Sequence, residues 1–154
     1  MGVVANPRWL SDVEQRAWRC WIDAARRIDV ALDRQLKDDH GLSLDDYEVM
    51  VRLSEVDGQR MRMSDLATSV ANSPSRLSQR IDRMAARGLV CREASDDDGR
   101  VALACLTDEG RARLEAAAPG HVAEARRQFV DRLTPEQIEV LAEILPNLLG
   151  DPLR

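Results

Sequence analysis

Apolar residues recur at helical spacing along most of the chain, and each periodic run opens on a residue that caps helices. Ser11 stands three residues before Glu14, the arrangement of a capping box, and predicts a helix from there to about Asp38. Val13, Ala17, Trp21, Ala24, Ile28, Ala31 and Gln35 mark one stripe along it, and Trp18, Ala25 and Leu32 widen that stripe. A face this wide requires more than one packing neighbour. Gly41 ends the run. Ser43 caps a second helix with Asp45 and Asp46 in its first turn, with Tyr47, Met50, Val51 and Leu53 inward, and Asp57-Gly58 closes it.

"RMRM", from Arg60 to Met63, alternates and predicts a short strand. Ser64 is expected to cap a third helix with Leu66, Ala67, Val70 and Ala71 inward. After the turn "ANSPS", Ser73 caps a fourth helix with Pro74 at its first position, where a missing N–H costs nothing. Leu77, Ile81 and Met84 form its inward face to about Arg87, and Gly88 stops it. "LVCREA" and "RVALACL", joined by an aspartate-rich tip, predict a β-hairpin. Thr107 caps a fifth helix that Pro119-Gly120 should kink or interrupt. Thr134-Pro135-Glu136-Gln137 opens a last helix whose stripe is Ile138, Leu141, Ile144, Leu145 and Leu148, with Pro146 limiting its end.

This order predicts a mainly α protein: a winged helix-turn-helix with a two-stranded wing, and long N- and C-terminal dimerisation helices. Residues 1–40 and 108–154 are assigned to dimerisation and residues 41–107 to the winged helix-turn-helix. The apolar stripes at both ends exceed what so small a core can cover, and a second copy of the chain is the simplest partner.

Charge sharpens this picture. The net charge is -5, yet the segment from Gln59 to Arg92 carries seven arginines against two aspartates. That asymmetry fits either one basic face on an acidic body or solvated helix decoration. The outward side chains of the fourth helix decide between them. Ser75, Arg76, Ser78, Gln79, Arg80 and Arg83 are residue types that hydrogen-bond base edges and phosphates. They stand on the second helix of a helix-turn-helix, the element that enters a major groove.

Other chemistry finds little support. Cys20, Cys91 and Cys105 are odd in number and lack CxxC spacing, so neither a disulfide framework nor a zinc site is expected. Cys91 and Cys105 flank the wing and read as small apolar strand residues. The Asp96-Asp97-Asp98 run does not match a calcium-binding loop. His40 and His121 are isolated, and no phosphate loop or nucleophile elbow occurs, so the chain is not expected to be an enzyme and no cofactor or metal is expected. No apolar run reaches membrane-spanning length and no export signal pattern opens the chain, which makes the cytoplasm the expected location.

Met63-Ser64-Asp65-Leu66-Ala67, Arg87-Gly88-Leu89-Val90-Cys91-Arg92, Asp98-Gly99-Arg100 and Leu106-Thr107-Asp108-Glu109-Gly110 together resemble the MarR family of bacterial transcription regulators. The resemblance implies a winged-helix dimer on double-stranded DNA, with a pseudo-palindromic operator. It places one recognition helix in each major groove and Arg100 in the neighbouring minor groove, its guanidinium held by Asp98. The acidic tip departs from the family's usual basic or proline-containing one, and Asp96 and Asp97 should repel phosphate. The resemblance further implies a small aromatic or phenolic effector that releases a repressor, with Trp18, Trp21, Arg26 and Tyr47 as candidate lining residues. Two alternatives stay open: a thiol-based redox regulator using Cys20, and a winged helix used for protein association.

Overall fold

The computed structural model describes residues 7–95 and 100–149. α1 (Asp12–His40) opens as its sequence predicts: Ser11 Oγ accepts from Glu14 N–H, and the Glu14 carboxylate accepts from Ser11 N–H at 2.8 Å. It closes at Gly41, whose left-handed φ of 63° lets its N–H reach back to the Leu36 and Lys37 carbonyls. α2 (Leu44–Ser54) starts from Ser43, and a short 3-10 turn, Asp57–Gln59, leads into β1 (Arg60–Arg62). α3 (Met63–Ser69), α4 (Pro74–Ala86), β2 (Val90–Ala94), β3 (Ala102–Leu106) and α5 (Asp108–Gln128) complete the winged helix. α6 (Pro135–Ile144) and the single turn α7 (Pro146–Leu149) follow.

Three expectations need correction. Ser64 does not cap α3: the chain leaves β1 directly into the helix, Arg62 is the N-cap without a side-chain bond, and Ser64 Oγ instead donates to Asp65. Ala71 is not inward but exposed, in a turn with φ 48°. Pro119 does not interrupt α5, which runs unbroken past it. Neighbouring packing tolerates the lost hydrogen bond, and Gly120 lets α5 approach α1 so closely that a Cβ there would stand 2.9 Å from the Gln35 amide nitrogen.

The wing hairpin gains a third strand. β3 lies between β1 and β2, antiparallel to both, with Arg60 and Cys91 each opposite Cys105. The core lies beneath this sheet, where Met50, Leu53, Leu66, Leu77, Ile81, Met84, Leu89 and Ala104 are buried together. Val49 joins them, although its position in the pattern did not predict it, while Val51 is only half-buried. The C-terminal end of α1 and the N-terminal half of α5 reach this core through Leu36, Leu114 and Ala117. The remainder of α1, and all of α6 and α7, contribute no buried side chain beyond Leu32. Val13, Trp18, Val30, Val140, Ile144 and Leu148 lie exposed there. Among the described residues no helix is long and apolar enough to cross a membrane.

An ion network holds α4 in place. Asp46, in the first turn of α2, accepts from Arg80 Nη1 at 2.9 Å through one oxygen and from Arg87 Nη1 at 3.0 Å through the other. Its side chain is 13% exposed and that of Arg80 16%. Arg80 Nη2 also pairs with Asp45, and Arg87 Nη2 donates to the Gly41 carbonyl at 2.8 Å. Arg113 of α5 donates to the adjacent His40 carbonyl at 2.6 Å. The end of α1 therefore anchors α2, α4 and α5 at one point.

Asp46→Ala should remove one of the two carboxylates that hold the nearly buried Arg80 guanidinium, and the acid that pairs with Arg87, at a cost of about 2–3 kcal/mol, read as a lower urea midpoint; Asp45→Ala and Asp46→Ala together should reach about 3–5 kcal/mol. The exposed control Arg62→Ala should stay within about 0.5 kcal/mol.

His121 of α5 packs at a tilt on Tyr47 with ring centroids 4.4 Å apart, and its Nδ1 is buried without a hydrogen-bond partner among the described residues. Burial holds its pKa below the ordinary 6.5. The unfolded chain therefore takes up this proton first. The contribution to stability is full above about pH 6.5 and is lost as pH falls through the lower, folded value. Denaturation midpoints should decline as pH falls below 6.5, and His121→Phe should flatten that decline.

Candidate nucleic-acid interface

At 3.6 residues per turn, Ser75, Gln79, Arg83 and Arg76 fall within about 100° of arc on α4. All four are exposed, while Leu77, Ile81 and Met84 occupy the opposite side and are buried. Ser73 Oγ caps the helix by accepting from Arg76 N–H, and Pro74 occupies the first turn. No acid lies in that turn to oppose the helix dipole's attraction for phosphate.

The two remaining α4 residues predicted to face outward do other work. Arg80 lies on the flank of the buried stripe, about 40° around the helix from Met84, and turns toward α2 to pair with Asp45 and Asp46. It belongs to the internal network rather than to the exposed arc. Ser78 is half-buried on the other flank, where its carbonyl and hydroxyl both accept from Arg92 Nη2, at 3.1 and 2.7 Å. Arg92 Nε also lies 3.2 Å from Asp82. Arg92 thus ties β2 to α4 and sets the wing against the helix. Its role was visible in the sequence only as the last residue of the Arg-Gly-Leu-Val-Cys-Arg run.

The basic segment is consequently less basic at its surface than its composition states. Arg80, Arg87 and Arg92 are paired within the chain, and Arg60 lies 3.8 Å from Glu93. Arg62, Arg76 and Arg83 make no ion pair among the described residues and are exposed. Arg100 is exposed at the foot of β3. Asp98, its expected partner, lies outside the described residues, as do Asp96 and Asp97.

The four candidate ligand residues do not converge within one chain. Trp21, 44% exposed, borders an apolar groove of about 880 Å³ between α1 and the segment from Gln128 to Leu145. Ile28, Phe129, Leu133 and Leu141 line its walls, Arg27 and Arg132 are matched in number by Asp23 and Asp29, and the exposed Cys20 opens onto it. Trp18 borders a separate depression with Trp9 and Arg8. Arg26 is exposed and lines neither. Tyr47 is a core residue: its helix turns it onto His121, and burial pushes its hydroxyl pKa up.

Comparison with known proteins agrees with this arrangement. Residues 31–117 match the family model described as transcriptional regulator SarA/Rot. AbsC of Streptomyces coelicolor, a MarR family transcriptional regulator, is 44% identical and superposes with a TM-score of 0.83 over 94% of this chain and 100% of its own. Sco3205, a MarR family regulator of the same organism whose structure was solved in complex with DNA, is 43% identical, with a TM-score of 0.88 over 93% of this chain and 89% of that one. The transcriptional repressor YetL of Bacillus subtilis is 26% identical over 108 residues, which span 70% of this chain and 64% of YetL. The helix-turn-helix, the three-stranded wing sheet and these matches together establish that the chain belongs to the MarR family of winged-helix transcription regulators.

Proposed function

We propose that the chain works as a homodimeric, sequence-specific DNA-binding repressor whose two copies of α4 enter successive major grooves. The observation that carries this is the exposed arc of Ser75, Arg76, Gln79 and Arg83 on a helix whose remaining arginine is tied inward. Such an arc presents hydrogen-bond donors and acceptors to base edges, while the capped N-terminus faces phosphate. Arg62 and Arg100 extend the cationic surface along the wing. Sco3205 was solved with DNA and YetL is named a repressor, which supports both halves of the reading. In this reading residues 41–107 read DNA and residues 1–40 and 108–154 join two copies across the exposed apolar faces of α1 and α6, with Leu36, Leu114 and Ala117 also packing into the winged-helix core. A winged helix serving protein association alone has no need of the exposed arc.

The groove beside Trp21 is the site we assign to an effector. Its apolar walls suit an aromatic ring such as that of salicylate, and Arg27 and Arg132 offer the carboxylate partners, with Asp23 and Asp29 confining the anion to the arginine side. Cys20 opens onto the same groove, so thiol oxidation there is the second reading.

Light scattering should give a dimer at micromolar concentration, and gel retardation with the protein's own upstream DNA should give a pseudo-palindromic site with half-sites about one turn apart. Arg76→Ala should relax discrimination at one base pair by about 1–3 kcal/mol without lowering stability. Arg100→Ala should weaken binding most on A·T-rich flanks, where a narrow minor groove concentrates negative potential. A stable monomer that retards no upstream fragment sinks the proposal. For the effector, an aromatic acid should quench Trp21 fluorescence and weaken DNA binding by the same factor by which DNA weakens the acid. Release by peroxide alone, abolished in Cys20→Ser, favours the thiol reading.

A further inference from the structure

The base of the wing joins three side chains that lie apart in the sequence. Cys91 and Cys105 are directly opposed across β2 and β3. Glu93, two residues along β2 from Cys91, shares that face of the sheet. One donor atom from each of the three lies within 4.8 Å of the other two. Cys91 Sγ stands 3.7 Å from Glu93 Oε1, and Arg60 Nη1 lies 3.8 Å from the other carboxylate oxygen, Oε2. Cys105 is buried, Cys91 half-buried and Glu93 exposed. The cluster is thus fixed by paired strands on its inner side and open to solvent on its outer side.

We propose that Cys91, Glu93 and Cys105 hold one thiophilic divalent cation, such as zinc, through which the wing responds to metal. Two sulfurs and one carboxylate oxygen are a donor set for a tetrahedral ion whose fourth position is left to water. Zinc–sulfur bonds near 2.3 Å and zinc–oxygen bonds of 2.0–2.2 Å place tetrahedral donors roughly 3.5–3.8 Å apart. From a spread of 4.8 Å at most, closure is within reach of side-chain rotation, with the strands left in register. Binding transfers the two thiol protons to solvent, leaving two thiolates and one carboxylate around a doubly charged ion. Arg60, beside the distal oxygen of Glu93, offsets the remaining negative charge and orients the carboxylate.

A disulfide between the same two cysteines would leave the Glu93 carboxylate and the Arg60 beside it without a part, whereas a cation engages all three donor atoms at once. The expectation of no zinc site rested on the absence of CxxC. Here the pairing comes from strand register.

The regulatory half of the proposal rests on the DNA-binding reading; the site itself does not. Arg92, between Cys91 and Glu93, is the residue that ties β2 to Ser78 and Asp82 of α4. A cation bridging β2 to β3 at this level stiffens the strand that carries Arg92, and so bears on the wing's seat against that helix.

The test is titration of the reduced full chain with cadmium chloride, without oxygen, following the thiolate-to-cadmium absorption band. One cadmium per chain is expected, with zinc competing it away. Cys91→Ser should abolish the two-thiolate band and Cys20→Ser should leave it intact. Glu93→Gln should weaken binding at least about tenfold. Should Cys105→Ser fail to fold, Cys91→Ser and Glu93→Gln, each at a less buried position and each checked by circular dichroism, still decide the matter. No band, a band unchanged in Cys91→Ser, or a band lost in Cys20→Ser overturns the site. Zinc should then shift affinity for the upstream DNA severalfold in the native chain and not in Cys91→Ser. An unchanged affinity alongside an intact band overturns the wing response. Failure of native, metal-free protein to bind DNA at all counts against the repressor reading and not against the metal site.

Discussion

Asp46 accepts from two guanidiniums at once, and the geometry of α4 depends on that arrangement. Both of its oxygens are engaged, one by Arg80 in the middle of α4 and one by Arg87 just past the end of the helix. Two attachment points along α4 hold its rotation as well as its position. The carboxylate is itself aimed by α2, whose Ser43 Oγ accepts from the Asp46 N–H. α2 in turn is tied back to α1, where Asp33 Oδ1 accepts from Leu44 N–H at 3.0 Å. The bond from Lys37, and then that from Leu44, hold the Asp33 carboxyl below its usual range, so it remains an acceptor in mildly acidic solution. A well-packed apolar replacement of such a network can be neutral in stability, whereas removing one member leaves a buried charge short of a partner.

The same network explains how an acidic chain can present a cationic surface. Arginines are spent on two distinct tasks within one segment. Those on the flanks of the α4 core stripe, or just past its end, neutralise acids of neighbouring elements and hold the architecture. Those on the arc opposite the core are left with water. Net charge sums both and therefore describes neither. The local field at the exposed arc is set by Arg76 and Arg83 in the absence of a nearby acid in the first helical turn.

Helix starts were legible in the sequence because a capping side chain acts within three residues of itself. Ser11, Ser43, Ser73, Thr107 and Thr134 all accept from the backbone N–H three positions on. Ser64 misled because the preceding strand runs directly into α3 and moves the cap to Arg62. The buried face of α4 and the hairpin were legible from period alone. What was not legible depends on contacts distant in the chain. The turn of Arg80 inward requires knowing that Asp45 and Asp46 lie beside it. The placement of Tyr47 in the core, away from Trp18 and Trp21, follows from which face of α2 meets α5. The meeting of Cys91, Glu93 and Cys105 follows from register, which hydrophobic alternation fixes only to within a shift of two.

Thr107 has a mechanical consequence. Its hydroxyl donates to the Gly88 and Leu89 carbonyls and accepts from Gly110 N–H, so the end of α4 and the start of α5 share one joint. At Gly110 that joint has no slack, because an added Cβ would lie 2.0 Å from the Leu89 carbonyl oxygen. From it α5 extends unbroken for 21 residues, about 31 Å, to the edge of the apolar groove. Beyond the joint, Leu114, Ala117 and the His121–Tyr47 contact seat the same helix on the core, so it is a beam supported along most of its length rather than a rod hinged at one end. A load at its far end therefore reaches the turn after α4 through α1 and α2 as well as through Thr107, and is shared among them.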